Sequence, residues 1–215
     1  MIKETLQLLL FILPWRIRRY FLGWLIGVKI SKNSYIGLSI VSASEITFGD
    51  NIYVGNFNYI GRLKVLKLCD GCRVKSFNWI SGAWLGTFVL KKNSALQRLS
   101  YYDCSGSIFI GENTIIAGRG SQFYTHGVTP DDLDQFASIV IGDFCYVGSR
   151  CCFVPGSVVK NNCFIAMNST VTRTAHEECV LYAGSPARVV KKFTGNEKYF
   201  VTTRIHPHHN VGKIK

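Results

Sequence analysis

Nothing in this chain stays apolar for long. No stretch reaches the roughly 18 uncharged apolar residues that a membrane-crossing helix needs, so no span is expected. Acidic residues are scarce. There are 13 Asp and Glu against 25 Lys and Arg, a formal net charge of +12 with the five His counted neutral. Such a surplus favours anionic partners: nucleotide phosphates, acidic glycans, anionic lipid or nucleic acid. No RNA-binding sheet motif, zinc finger or helix-turn-helix pattern is present, which sets nucleic acid aside. No small-x-small site follows the early apolar run, so a cleavable secretory signal is not expected. Eight cysteines then fit reduced thiols in a cytoplasmic setting. Cys69-Asp-Gly-Cys72 is a lone CxxC. Without a second pair or a βαβ context it reads as free thiols rather than a zinc or redox site. The 215 residues suffice for one domain with a sizeable core.

What the chain does have is a six-residue beat. Ile141, Val147, Phe153, Val159, Ile165 and Val171 stand six apart and are all apolar. A helix repeats near 3.6 residues and a strand at 2, so neither explains this period. A coil with three flat faces does, each hexapeptide supplying one face and one corner. The same beat runs through Ile30, Ile36, Phe48, Val54, Ile60 and Leu66, with Ser42 as a weak rung. Cys72 and Asn78 continue it with small or polar residues, and Trp84 and Leu90 hold the phase. Ile110 and Ile116 resume it in a shifted phase. The stretch 123–138 interrupts it. Cys145, Cys151 and Cys163 repeat at equivalent points, as small buried hydrophobes. The period predicts an all-β solenoid, a parallel β-helix, over roughly residues 30–175, stacking coil on coil to bury a continuous core. A two-sheet sandwich is the alternative, but its strands should alternate at 2 with turns every 8–12 residues.

Residues 1–29 form a separate amphipathic helical segment. A short apolar run from Leu6 to Leu13 is broken by Pro14-Trp15. Arg16, Arg18 and Arg19 follow, then an apolar stretch containing Trp24. Two helical pieces of this kind suit a membrane face, where aromatic rings sit at headgroup level and Arg meets anionic lipid. They equally suit a cap over the first coil, which a solenoid requires. Both roles can hold at once for residues 1–28. A β-helix domain over 30–192 is expected to follow, then a short helix and basic tail over 193–215. The tail holds His206, His208 and His209, which nothing fixes as metal ligands.

Catalytic groups tend to sit where a regular scaffold is interrupted. The clearest interruption, after the Gly-rich coil around 118–120, contains His126, the only histidine inside the solenoid body. A lone histidine is usually a polar surface residue. Its unperturbed pKa near 6.5 also allows it to accept a proton at neutral pH. Trp79, Trp84, Tyr101, Tyr102 and Tyr124 are candidates either for stacking on sugar rings or for packing.

The run IGENTIIAGRGSQFYTHGV, then IVIGDFCYVGSRCCFVPGSVV, FIAMNSTVTR and LYAGSPARVVKKF, resembles the hexapeptide-repeat acyltransferases. The likeness is greatest to the sugar O-acetyltransferases of the maltose, galactoside and Nod-factor type and their polysaccharide relatives. It is strong over about 108–192 and only periodic over 30–78. The resemblance implies a left-handed β-helix and a homotrimer with each site between two solenoids. It implies acetyl-CoA as acyl donor and no metal. His126 matches the family's catalytic base, and Asp103 loosely matches a residue placed beside it. Ser149 lies in the turn next to the pantetheine arm. Ser169-Thr-Val-Thr172-Arg173 matches the segment in which Thr172 and Arg173 would meet CoA. Gly184-Ser-Pro-Ala-Arg188 matches a basic turn, with Lys191 and Lys192 toward the phosphates. Three departures concern the donor: Met167-Asn168 replaces Ala-Gly, Tyr146 replaces Trp, and Arg173-Thr174 replaces Lys-Asp. Met167 is thus read as a residue that alters how pantetheine lies.

The expected function is acetyl-CoA-dependent O-acetylation of a sugar in surface polysaccharide, by a cytoplasmic or inner-face peripheral enzyme. The alternatives are N-acetylation of an amino sugar and a non-catalytic membrane-associated scaffold. A zinc carbonic anhydrase of the same fold needs three histidine ligands on the coils, which this chain lacks.

Overall fold

In a computed structural model, residues 2–129, 132–172 and 177–203 are described. Short parallel strands stack into a solenoid of three faces. On the first face the inward register runs Ile36, Val54, Val74, Leu96, Ile116, Val147, Ile165 and Tyr182. On the second it runs Val41, Ile60, Ile80, Tyr102, Phe123, Phe153 and Val171. On the third it runs Phe48, Leu68, Leu90, Ile110, Ile141 and Val159. The second and third faces join into one sheet because Ile40–Phe48 and Tyr59–Leu68 bend around the corner unbroken. Burial of these rungs supplies the apolar driving force, and Phe123 stacks between Tyr102 and Phe153 at 4.6 and 4.5 Å.

All six rungs of the regular C-terminal hexapeptides are buried, as the period requires. Further up, the beat slips, and the structure shows where. From the third face to the first, every step is six residues. Nearly all the variation falls between the second face and the third. Ile60 to Leu68 spans eight residues, Ile80 to Leu90 ten, and Phe123 to Ile141 eighteen. Surface corners tolerate such insertions. The phase therefore moves by two after Ile60. Cys72 and Asn78 are buried, but they lie two residues before the true rungs, Val74 and Ile80. Trp84 is not a rung: it sits in the enlarged corner at 46% exposure with φ +66°. Ser42 yields its rung to Val41, which is 1% exposed. Cys145, Cys151 and Cys163 occupy tight corners just before the rungs, buried and unpaired. Cys69 and Cys72 are also free thiols, and burial pushes both pKa values up.

Two helices, α1 (Ile2–Leu9) and α2 (Trp15–Ile26), close the first coil. Gln7 acts as a substitute strand residue. Its amide donates to the Val41 carbonyl and accepts from the Val41 N–H, both at 2.8 Å. Arg18 donates to the Ile36 carbonyl at 2.7 Å, and Leu22 covers the core. Exposed sheet edges invite pairing with other chains, and these contacts end them. The opposite surface of the cap is apolar: Ile2, Ile12 and Trp24 are 80%, 87% and 82% exposed. No helix among the described residues is long and apolar enough to cross a membrane. At the other end, Val180–Ala183 and Arg188–Lys192 form an antiparallel hairpin. The short helix α3 (Lys198–Val201) then lays Tyr199 and Phe200 on Phe164 of the first face.

Candidate active site

The longest corner carries the one antiparallel excursion among the described residues outside the chain's last hairpin. His126–Thr129 pairs with Asp132–Phe136 and leaves the solenoid directly after the second face. His126 opens this hairpin, and its ring lies 6.4 Å from that of Phe136. One coil earlier, Asp103 ends its strand at the equivalent corner. The coil stacking that aligns Tyr102 with Phe123 thus brings together two residues 23 apart in sequence.

Asp103 is a buried carboxylate with a full set of donors. Its Oδ1 accepts from the Ser105 N–H and hydroxyl at 3.2 and 2.7 Å. Its Oδ2 accepts from the N–H groups of Thr125 and His126 at 3.1 and 3.2 Å, and from His126 Nδ1 at 2.6 Å. Burial works against the charge. The donors from Ser105 and His126 outweigh it, and the Asp103 pKa is lowered. An ionised Asp103 can only accept, so Nδ1 of His126 is the donor, and in the neutral ring this leaves the lone pair on Nε2. The His126 side chain is half exposed, against 5% for that of Asp103. The pair has the form of an oriented general base. Ser105 completes the carboxylate's shell locally, two residues on from Asp103, whereas Thr125 is found only because the corners stack.

The other expected site residues are divided. Thr172 follows Val171 on the corner where His126 emerges, and Val154 N–H donates to the Val171 carbonyl to hold these coils in line. Ser149 and Met167 lie elsewhere, on the corner between the first and second faces. There they line an open pocket of about 550 Å³ together with Gly118, Arg119, Arg150 and Asn168. Met167 is 69% exposed. Asn168 takes the left-handed φ of +58° that its turn requires. Gly118, at φ +76°, is required there as well: a Cβ would collide with the Ser149 side chain. Arg188 and Lys191 are exposed on the terminal hairpin. Lys191 lies over the Phe193 ring, whereas Lys192 pairs with Glu177 at 2.9 Å. Arg173 lies outside the described residues. One protomer therefore unites His126 with Asp103, and it leaves Ser149 and Met167 across the second face from them.

Among the aromatic candidates, Tyr102 is fully buried and serves packing. Trp79 is 53% exposed beside Tyr59, and Tyr101 lies 5.6 Å from Tyr124 next to the Asp103–His126 corner. These rings form an outward ladder on the second face. Among the described residues no group of three metal-ligating side chains converges.

No protein-family model matches the chain. In sequence it is 27% identical over 176 residues to the bifunctional protein GlmU of Buchnera aphidicola, a match covering 80% of this chain and 35% of that protein. It is 28% identical over 106 residues to the "Putative lipopolysaccharide biosynthesis O-acetyl transferase WbbJ" of Escherichia coli, covering 43% of this chain and 54% of that protein. The matches thus span about a third and about half the length of these curated relatives. Among solved structures, the polySia-specific acetyltransferase NeuO superposes with a TM-score of 0.40 at 18% identity, over 75% of this chain and 88% of that one. A mutant of AntD, an N-acyltransferase from Bacillus cereus in complex with dTDP and coenzyme A, gives 0.44 at 15% identity, over 76% and 83%. The chain is a parallel β-solenoid built on hexapeptide repeats, similar over part of its length to WbbJ and GlmU.

Proposed function

We propose that the protein transfers an acetyl group from acetyl-CoA to a sugar hydroxyl of a surface polysaccharide. The carrying observation is the His126–Asp103 pair, with Nδ1 tied to a buried carboxylate and the histidine side chain half exposed. In this reading Nε2 takes the proton of the acceptor hydroxyl as its oxygen attacks the thioester carbonyl. The carbon–sulfur bond then breaks, and the sulfur leaves with the proton that His126 held. The products are an acetyl ester and free CoA thiol. Little more than orientation and one base is needed. The similarity to WbbJ and the motif order over 108–192 support the same chemistry.

Ser149 and Met167 would line the pantetheine arm, with Thr172, Arg173, Arg188 and Lys191 toward the phosphates. Ser149 and Met167 stand across one face from His126, while Thr172 shares the His126 corner, so a complete site needs a second copy of the chain. A homotrimer with parallel axes, each His126 facing its neighbour's Ser149 corner, meets that need. The apolar outer surface of α1 and α2, flanked by Arg16, Arg19, Lys29 and Lys32, would rest on the cytoplasmic face of an anionic membrane, near lipid-linked sugars. The test is acetyl-CoA turnover with free-thiol detection across a panel of acceptor glycans. His126→Ala is expected to lose about 10²–10⁴-fold in rate. A folded wild type that does not bind CoA at all overturns the reading.

A further inference from the structure

The pocket beside Ser149 does not end at Gly118. A second open pocket, of about 450 Å³, shares Gly118 and Arg119 with it and continues along the same corner toward the N-terminal coils. Lys75 and Arg98 line this extension. The successive coils stack directly, with Lys75 N–H donating to the Leu96 carbonyl and Gln97 N–H to that of Ile116. Three cations from successive coils therefore line one groove, each set one residue further along its turn than the last: Lys75, Arg98 and Arg119. Among the described residues no carboxylate pairs with any of them. Burial, then the nearby Arg73 and Arg98, lower the Lys75 pKa. Like charges gathered without a counter-ion are unfavourable, and an anion in the groove relieves that cost.

We propose that this cationic extension binds the acidic group of the acceptor, so that the acceptor is a carboxylate- or phosphate-bearing glycan rather than a neutral one. The inference rests on the acetyltransferase reading and its parallel trimer. A threefold axis along the solenoid keeps every residue at its own height. The neighbour's His126 then arrives level with Gly118 and Arg119, because Ile116 and Phe123 belong to the same coil. Ser149, Met167 and Arg188 lie on the C-terminal side of that level and are taken by the donor. Lys75 and Arg98 lie on the N-terminal side, where the acceptor must approach. An arginine there can grip a carboxylate or phosphate with two parallel hydrogen bonds.

The phosphates of CoA are the other source of negative charge, and the experiment separates the two. Binding of fluorescent polysialic acid and of neutral dextran is measured on wild type and on Lys75→Ser/Arg98→Ser, with CoA binding followed by calorimetry. The expected result is preference for polysialic acid, weakened at least about tenfold in the double variant, as for the loss of one or two charge-assisted contacts. CoA affinity should stay within about twofold, because the variant leaves Ser149, Met167 and Arg188 in place. Equal binding of dextran, or a double variant that loses CoA and keeps polysialic acid, overturns the proposal. Failure of wild type to bind CoA overturns the acetyltransferase reading instead, while the glycan arm still reports on the groove.

Discussion

Asp103 is the residue around which the candidate site is organised. It collects donors from Ser105, Thr125 and His126 and gives the histidine its direction. Asp103→Asn replaces an acceptor-only oxygen with an amide. It should lower kcat by about 10–10²-fold through loss of one charge-assisted hydrogen bond, with KM for acetyl-CoA little changed. Steady-state kinetics checks the split; an unchanged kcat removes Asp103 from the mechanism. The same carboxylate makes stability depend on acid. Its folded pKa is depressed, so its contribution is complete above the ordinary carboxylate value and is lost as pH falls through the folded one. The melting temperature of wild type should exceed that of Asp103→Asn near neutrality. The gap should close below about pH 4. A gap that widens in acid contradicts the depressed pKa. Asp103 was legible in the sequence only as a loose match. Of its donors, Ser105 stands two residues on in a common Asp turn pattern, while Thr125 and the tie to His126 had no local mark.

At the scale of elements, α1 and α2 serve two surfaces at once. Their inner side is polar where it must complete strand edges, through Gln7 and Arg18, and apolar over the core. A cap with no further duty would carry a polar outer face. This one exposes Ile2, Ile12 and Trp24. Ile12→Ser/Trp24→Ser should weaken sedimentation with phosphatidylglycerol vesicles at least about tenfold, since burying each such side chain is worth about 1.5–3 kcal/mol. The melting temperature should hold, because neither residue packs on the solenoid. Binding to vesicles unaffected by the change would assign the surface to another contact. The two helical pieces were readable from Pro14 and the apolar spacing. Which side of them faces the coil was not, because Leu and Trp serve core and membrane equally.

At the scale of the whole molecule, the corners of the coil decide which side chains can meet. A triangular coil separates the His126 corner from the Ser149 corner by the width of a face. If each site draws one corner from each of two protomers, inactive variants can complement. His126→Ala keeps a good Ser149 corner, and Met167→Trp, which fills the pocket, keeps a good His126. Each alone should be nearly inactive. Refolded together at equal amounts, random trimers should restore about a quarter of the wild-type sites. Activity that stays at the level of the separate variants would place both corners' functions within one protomer.

The sequence by itself determined the solenoid. One inward side chain per hexapeptide is a local rule, and Ile141 to Val171 obey it without help from distant residues. It also determined His126 as the interruption worth chemical attention. The slips in the beat after Ile60, Ile80 and Tyr102 had to wait for the structure, because an insertion at a corner shifts the phase without leaving a mark of its own. Only the tertiary structure decided that Asp103 holds His126, that Ser149 lies across a face from both, and that Lys75, Arg98 and Arg119 line one groove. Those neighbours are one coil apart in space and about twenty residues apart in the chain, and coil stacking alone brings them together.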